Sequence, residues 1–248
     1  VDPLPPRLRR DVVSFVRRSA RMNESQAGAW ERHERDFVVE VERGEVSTSI
    51  ADGASVDWTA AFGREAPLIV EIGSGAGDSL VPMAADRAEA NIVAFEVFEP
   101  AIASTLGKLG RRGVTNVRVV VADGAQGLAK LFDDGSVSEL WTFFADPWHK
   151  KRHHKRRLVN TEFAGLVARK LAPGGVWRLA TDWEDYALWM REHLDGAPGL
   201  RNEYLDDEHD GWAPRLAERP VTRYEAKGIA AGRRVYDLAY RRADAAQD

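Results

Sequence analysis

Along the chain, short apolar runs alternate with longer segments in which apolar positions recur at helical spacing, the pattern of strands and amphipathic helices in succession. After Pro67, the run Leu68-Ile69-Val70-Glu71-Ile72 predicts a strand buried on both faces. A glycine-rich turn and a helix over 78–89 follow. Residues 91–96, Asn-Ile-Val-Ala-Phe-Glu, predict a second strand and 99–112 a second helix. Val117 to Val121 reads as a third strand on its adjacent β-branched valines, and Leu140 to Phe144 as a fourth. Between 157 and 171, apolar residues at 158, 159, 163, 166, 167 and 171 mark one face of a helix. Pro173-Gly174-Gly175 stops that helix and turns the chain into a fifth strand, Val176 to Ala180. Residues 23–36 are polar and read as helical, 37–66 fit no single pattern, and 1–22 lack an apolar face. The alternation predicts an α/β domain built on a doubly wound, mostly parallel sheet.

The domain organisation expected is a basic arm and helix over 1–36, one α/β domain over 37–242, and a tail over 243–248. Hydrophobic residues make up 44% and charged residues 30% of the 248, which suits a globular rather than a disordered chain. Cysteine is absent, which excludes disulfides, zinc–thiolate sites and a cysteine nucleophile. The longest stretch free of Asp, Glu, Lys and Arg is eight residues, Pro100 to Gly107, far short of the roughly 20 needed to span a bilayer. With no apolar core after the basic start, no secretory signal is read and a cytoplasmic location is expected.

A net charge of −4 hides strong segregation. Six arginines stand against two aspartates between Val1 and Met22, and six Lys/Arg with two histidines and no acid between Lys150 and Arg157. The overall acidity argues against nonspecific coating of nucleic acid, while a focused basic patch remains able to steer a polyanion.

In an open α/β sheet, ligands bind beyond the C-terminal strand ends. The first strand runs into Glu71-Ile72-Gly73-Ser74-Gly75-Ala76-Gly77-Asp78. Alternating glycines let backbone turn tightly against a ligand. A dinucleotide loop would need its third glycine where Asp78 stands, which disfavours a nicotinamide enzyme. Glu96, Asp123 and Asp146 end the next three strands. Any one acid could simply cap the following helix. Four at successive strand ends, with the glycine loop, instead suggest a crevice for a cationic, ribose-bearing, phosphate-free ligand, and S-adenosyl-L-methionine fits. The stretch Asp146-Pro147-Trp148 places a carboxylate and an aromatic beside a basic run, an arrangement able to take a flipped base and its phosphates. His149, His153 and His154 lie among cations that disfavour metal, so no metal site is expected. Thr181-Asp182-Trp183 and Arg219 to Gly228 hold further donors and acceptors, though either could be ordinary surface.

Over roughly 20–242 these residues resemble the bacterial tRNA (guanine-N7-)-methyltransferases of TrmB type. The match runs through Arg21-Met22, Glu71-Ile72-Gly73-x-Gly75-x-Gly77, Glu96-Val97, Asp123-Gly124, Asp146-Pro147-Trp148, Lys150-Lys151-Arg152-His153-x-Lys155-Arg156-Arg157, Thr181-Asp182-Trp183 and Thr222-Arg223-Tyr224-Glu225. The resemblance implies a Rossmann-like methyltransferase that uses S-adenosyl-L-methionine on guanine 46 of the tRNA variable loop. It implies cofactor contacts from Glu71, Gly73, Gly75, Glu96, Asp123 and Asp146, with Asp146 also catalytic. Lys150, Asp182, Thr222, Arg223, Tyr224 and Glu225 would contact the guanosine, with Asp182 or Glu225 reading its edge. Arg152, His153, His154, Lys155, Arg156 and Arg157 would contact the RNA. No obligatory protein partner is expected, and the protein would be a monomer or homodimer. Two residues depart from the family pattern: Ala145 stands where Pro is usual, and Phe98 where a polar residue is common. An amino methyltransferase acting on adenine or cytosine, and a non-enzymatic RNA-binding module, are the alternatives.

Overall fold

A computed structural model describes residues 21–206 and 208–243. Residues 1–20 of the expected arm and 244–248 of the expected tail lie outside the described residues. The first helix, α1 (Glu24–Phe37), opens on a reciprocal cap in which Asn23 and Gln26 each satisfy the other's backbone N–H. Sequence expectation grouped this helix with the arm, but it packs on the domain. Gln26 Nε2 donates to the Pro100 carbonyl at 2.9 Å, and Phe37 is buried in the core. The ambiguous stretch that follows contains a short helix, α2 (Trp58–Phe62), whose Trp58 stacks on Phe132.

From there the alternation proceeds as β1 (Leu68–Ile72), α3 (Leu80–Ala85), β2 (Asn91–Phe95), α4 (Glu99–Arg112), β3 (Val117–Val120), α5 (Gly124–Lys130) and β4 (Val137–Phe143). A 3-10 turn over Lys151–Arg156 leads into α6 (Thr161–Lys170) and β5 (Leu171–Thr181). The chain closes with α7 (Glu184–Leu194), β6 (Leu200–Asn202), α8 (Arg223–Ala230) and β7 (Tyr236–Arg242). The seven strands form one sheet in the order β3-β2-β1-β4-β5-β7-β6. The first five pair in parallel, and β7 and β6 add antiparallel pairs at one edge. The doubly wound sheet expected from the sequence is therefore present, with an antiparallel edge that the apolar pattern did not announce.

Two differences have local causes. Pro173-Gly174-Gly175 does not separate the helix from its strand. Leu171 already pairs with Val137, Val176 pairs with Glu139, and the turn is a wide bulge inside β5. The helix expected over 157–171 starts later, at an Asn160 side chain that accepts from Phe163 N, because the preceding basic residues form the 3-10 turn.

One core covers each face of the sheet. On one, Leu80, Ile102, Leu106 and Leu109 pack against Ile92, Ala94 and Val119. On the other, Leu128, Phe132, Phe163 and Val167 pack against Val70, Val93 and Trp177. Helix α5 sits close to the sheet because glycines face it: a Cβ on Gly127 would lie 2.1 Å from Phe95 Cε1, and one on Gly124 2.6 Å from Ile72 Cγ2. That proximity sets the spacing between the strand ends and the helix beside the site. Exchanging Gly127 for Ala gains about 1 kcal/mol of helix propensity. Overpacking against the buried Phe95 ring costs more, about 1–3 kcal/mol plus the displacement of the ring. Thermal unfolding of Gly127→Ala is expected to fall several degrees below the wild type. A midpoint at or above the wild-type value contradicts this packing.

Candidate active site

A cavity of about 430 Å³ opens at the C-terminal ends of β1, β2 and β4. Its wall includes Gly73, Gly75, Glu96, Phe98, Ala145 and Asp146. Gly73 and Gly75 adopt φ of 81° and 55°, and a Cβ on either would meet nothing within 4 Å. Left-handed backbone, rather than crowding, is what requires glycine here, and it leaves the approach to the cavity open. Glu96 braces the loop from the end of β2. Its Oε2 accepts from Gly75 N at 2.9 Å, and its Oε1 from Val97 N and Phe98 N. Phe98, one of the two departures, contributes its backbone to that brace and its side of the cavity wall.

The four strand-end acids separate into distinct positions. Glu96 and Asp146 line the cavity. Glu71 lies inside β1, 3% exposed, with its buried Oε2 unpartnered. Burial, reinforced by the charge of Glu96, pushes its carboxyl up to about 8. Asp123 Oδ1 accepts from Ala125 N and Gln126 N, so this residue is the N-cap of α5. It faces the neighbouring groove between α5 and α6 and is not part of the cavity wall. Asp123 thus caps α5 immediately before Gly124, which lines the cavity.

Asp146 stands exposed in the turn after β4. Phe144 and Trp148, two residues to either side, both adopt positive φ, 55° and 48°. Bulky side chains rarely accept that conformation, and it is held where surrounding contacts fix it. Phe144 N donates to the Ala180 carbonyl at 2.8 Å. A proline at 145 would restrict the backbone of Phe144, a restriction that Ala145 lifts. Arg157 holds the other half of the turn: its Nε donates to the Pro147 carbonyl at 2.9 Å, and its guanidinium pairs with Asp185.

That placement corrects one expectation. Arg157 was grouped with the RNA-facing run, yet it is 2% exposed and lies against the rings of Tyr186 and Trp189. Its charge is spent inside the protein. Lys150, Arg152 and Lys155 are exposed, and Arg156 lies 3.8 Å over the Trp148 ring. The three histidines point to separate aromatic partners: His149 to Trp183, His153 to Trp148 and His154 to Trp189. Among the described residues, no group of three His, Cys, Asp or Glu is close enough to hold a metal.

Across the mouth stands α8, opened by Thr222, whose hydroxyl accepts from Glu225 N. Tyr224 is exposed, and its ring packs edge-on against Phe144 at 5.5 Å. Its phenol is pushed up by burial and by the neighbouring Asp182 and Asp146 carboxylates, so these three side chains share one neighbourhood. Asp182 is buried and accepts from Arg233 Nε at 2.8 Å. A Cβ on Gly228 would lie 2.7 Å from Asp182 Oδ2, so only glycine lets α8 come this near. Thr181, not Asp182, bonds the backbone ahead of α7, through Trp183 N.

Glu225 is the second correction. It is 1% exposed and bridges Arg215 and Arg219 at 3.0–3.3 Å. Arg219, fully buried, also grips Asp237 at 2.9 Å and lies over the rings of Phe143 and Phe144. Glu225 therefore anchors α8 and presents no carboxylate to a substrate. Sequence reasoning missed Arg233 and the roles of Arg219 and Gly228. The last two bound a motif of interest, but nothing local marks any of the three as a partner of residues 40 or more positions away.

Residues 65–238 match the family model Methyltransf_4, described as "Putative methyltransferase". The chain is 55% identical over 238 residues to a tRNA (guanine-N(7)-)-methyltransferase of Cutibacterium acnes, covering 96% of this chain and 86% of that one. A protein of the same name from Nocardioides sp. is 48% identical, with 96% and 90% covered. One from Aliivibrio fischeri is 40% identical, with 94% and 92% covered. Among solved structures, the 16S rRNA methyltransferase KamB superposes with a TM-score of 0.54 at 15% identity, covering 82% of this chain and 100% of that one. A SAM-dependent O-methyltransferase from Thermotoga maritima reaches 0.50 at 19%, covering 74% and 62%. The structural likenesses carry the Rossmann-like methyltransferase fold, and the sequence identities carry the family. The chain is an enzyme and belongs to the tRNA (guanine-N7-)-methyltransferase family.

Proposed function

We propose that the protein transfers the methyl group of S-adenosyl-L-methionine to N7 of a guanine in tRNA, guanine 46 of the variable loop. The observation that carries this reading is the meeting of the glycine-loop cavity with Asp146, Asp182 and Tyr224 at one mouth. The residues present fit the donor. Gly73 and Gly75 leave room at the cavity wall, Glu96 offers carboxylate lone pairs there for a ribose diol, and the orphaned Oε2 of Glu71 supplies a buried acceptor behind the loop. Bound S-adenosylmethionine supplies an electrophilic methyl group on a sulfonium.

Guanine N7 is an acceptor with a free lone pair and no proton. No general base is then required, and the work of the protein is alignment and charge placement. Asp146, at the cavity rim, stabilises the positive charge that appears on the methylated purine. Tyr224, exposed and braced by Phe144, offers a ring to the base. Asp182, positioned by Arg233, accepts from guanine N1–H and the 2-amino group, which adenine cannot reproduce. Glu225, locked between two arginines, does not. Lys150, Arg152 and Lys155 hold phosphates, which position the RNA without reading its sequence.

Three outcomes test this reading. Asp146→Ala is expected to lower kcat for tRNA methylation roughly 10²-fold, with unchanged melting and near-normal donor affinity by calorimetry; near-normal turnover removes Asp146 from the chemistry. Asp182→Asn places an amide donor against guanine's own donors and is expected to cut kcat/KM for tRNA roughly 10²-fold or more, whereas a variant at wild-type efficiency assigns edge reading elsewhere. Glu71 has its carboxyl raised in the fold, so its neutral form favours folding. That contribution is full below the ordinary carboxylate range and is lost as pH rises toward about 8. Glu71→Gln does not titrate. Its melting temperature minus that of the wild type is expected to grow steadily from pH 5 to 8, and parallel curves contradict a buried protonated Glu71.

A further inference from the structure

A second groove, of about 500 Å³, runs between α5 and α6 on the side of the sheet away from α4. It borders the donor cavity, because Leu158 lines both. Five cationic side chains line it, Lys130, Lys155, Arg156, Arg157 and Arg169, against two acids, Asp123 and Glu162. Of the two acids, Asp123 turns its Oδ1 onto two amides of its own helix. Lys155 and Arg169 are exposed, and Arg169 donates to the Gly165 carbonyl one turn back. Lys130 is held in place by the Ile50 carbonyl and by Asp52. The fifth cation of the lining, Arg157, is itself buried and paired with Asp185.

We propose that this groove carries the sugar-phosphate backbone of the tRNA substrate away from the active site. The proposal rests on the tRNA reading above and extends it to a surface outside the 150–157 run. The cations do not converge on one point. Lys155 precedes α6, and Arg169 lies eight residues past the start of that helix, about 12 Å along its axis. That length suits successive phosphates of a strand rather than a single small anion. The near end continues directly from the exposed run beside Asp146, so one strand can reach both. The floor is apolar, with Leu158, Phe163 and Leu166, and the two amides of the lining are already engaged, Asn160 by Phe163 N and the Arg157 and Leu158 carbonyls and Gln126 Oε1 by Ile50 N. The contact is therefore with backbone, adds affinity and is indifferent to sequence.

Charge reversals of opposite sign test the groove. Arg169→Glu and Glu162→Lys alter exposed groups outside the donor cavity, and S-adenosylmethionine affinity by calorimetry serves as the check on each fold. Binding of unmodified tRNA is measured from low to moderate salt. Arg169→Glu is expected to weaken binding roughly three- to tenfold at low salt and to make the logarithmic salt slope shallower by about one; Glu162→Lys is expected to tighten binding and steepen the slope. A wild type with steep salt dependence and two variants that match it overturns the groove while leaving the tRNA reading intact. A loss in Arg169→Glu without a gain in Glu162→Lys also overturns it, because a phosphate track must respond to both signs. A wild type without salt-dependent tRNA affinity overturns the proposed function itself.

Discussion

Two buried guanidinium groups hold the strand-end turn that carries Asp146. Arg157 grips the Pro147 carbonyl from the side of α7, and Arg219 lies under Phe143 and Phe144 from the side of α8 and β7. Between them, Phe144 and Trp148 keep left-handed backbone at a cost of about 1–3 kcal/mol each. Arg219, Glu225 and Asp237 are all buried, and removing one partner of such a pair costs about 3–5 kcal/mol, more than the strain at Phe144. The same clamps join the site's parts. Through Glu225 and Asp237, Arg219 fixes α8, and with it Tyr224 and the glycine that lets the helix approach Asp182. Asp146, Tyr224 and Asp182 are thus positioned by arginines and their partners.

Segregation of charge explains how a chain of net charge −4 can address a polyanion. Acids gather at the cavity, Glu96 and Asp146 on its wall and Asp182 near Asp146 beside Tyr224. Cations gather on the adjoining 3-10 turn and the ends of α5 and α6. The two fields lie side by side, with Leu158 between the cavity and the groove. A base attracted by the first can remain attached to phosphates attracted by the second.

The central strands and helix α4 were legible because their signals are local. Leu68–Ile72 and Asn91–Phe95 are unbroken apolar runs, and Glu99–Arg112 has a clear stripe that ends at Gly113. Strand β7 was not, since Tyr236–Arg242 interleaves aspartate and arginines with its buried Leu238 and Tyr240. The site was legible in the residue types at the strand ends, but not in their roles. Asp123 and Glu96 look alike in sequence, and only the proximity of α5 turns the first into a cap. Arg157 and Glu225 read as solvated charges in polar runs, and only the folded chain buries them, Arg157 against Tyr186 and Trp189 and Glu225 between Arg215 and Arg219.

The chemistry is tested most directly by incubating the enzyme with methyl-labelled S-adenosylmethionine and an unmodified tRNA transcript, then digesting the RNA and mapping the label by mass spectrometry. The expected product is N7-methylguanosine at the single variable-loop position 46. Label recovered as N6-methyladenosine or a methylated cytosine, or no transfer at all, contradicts a cavity built to present guanine N7 to a sulfonium methyl group.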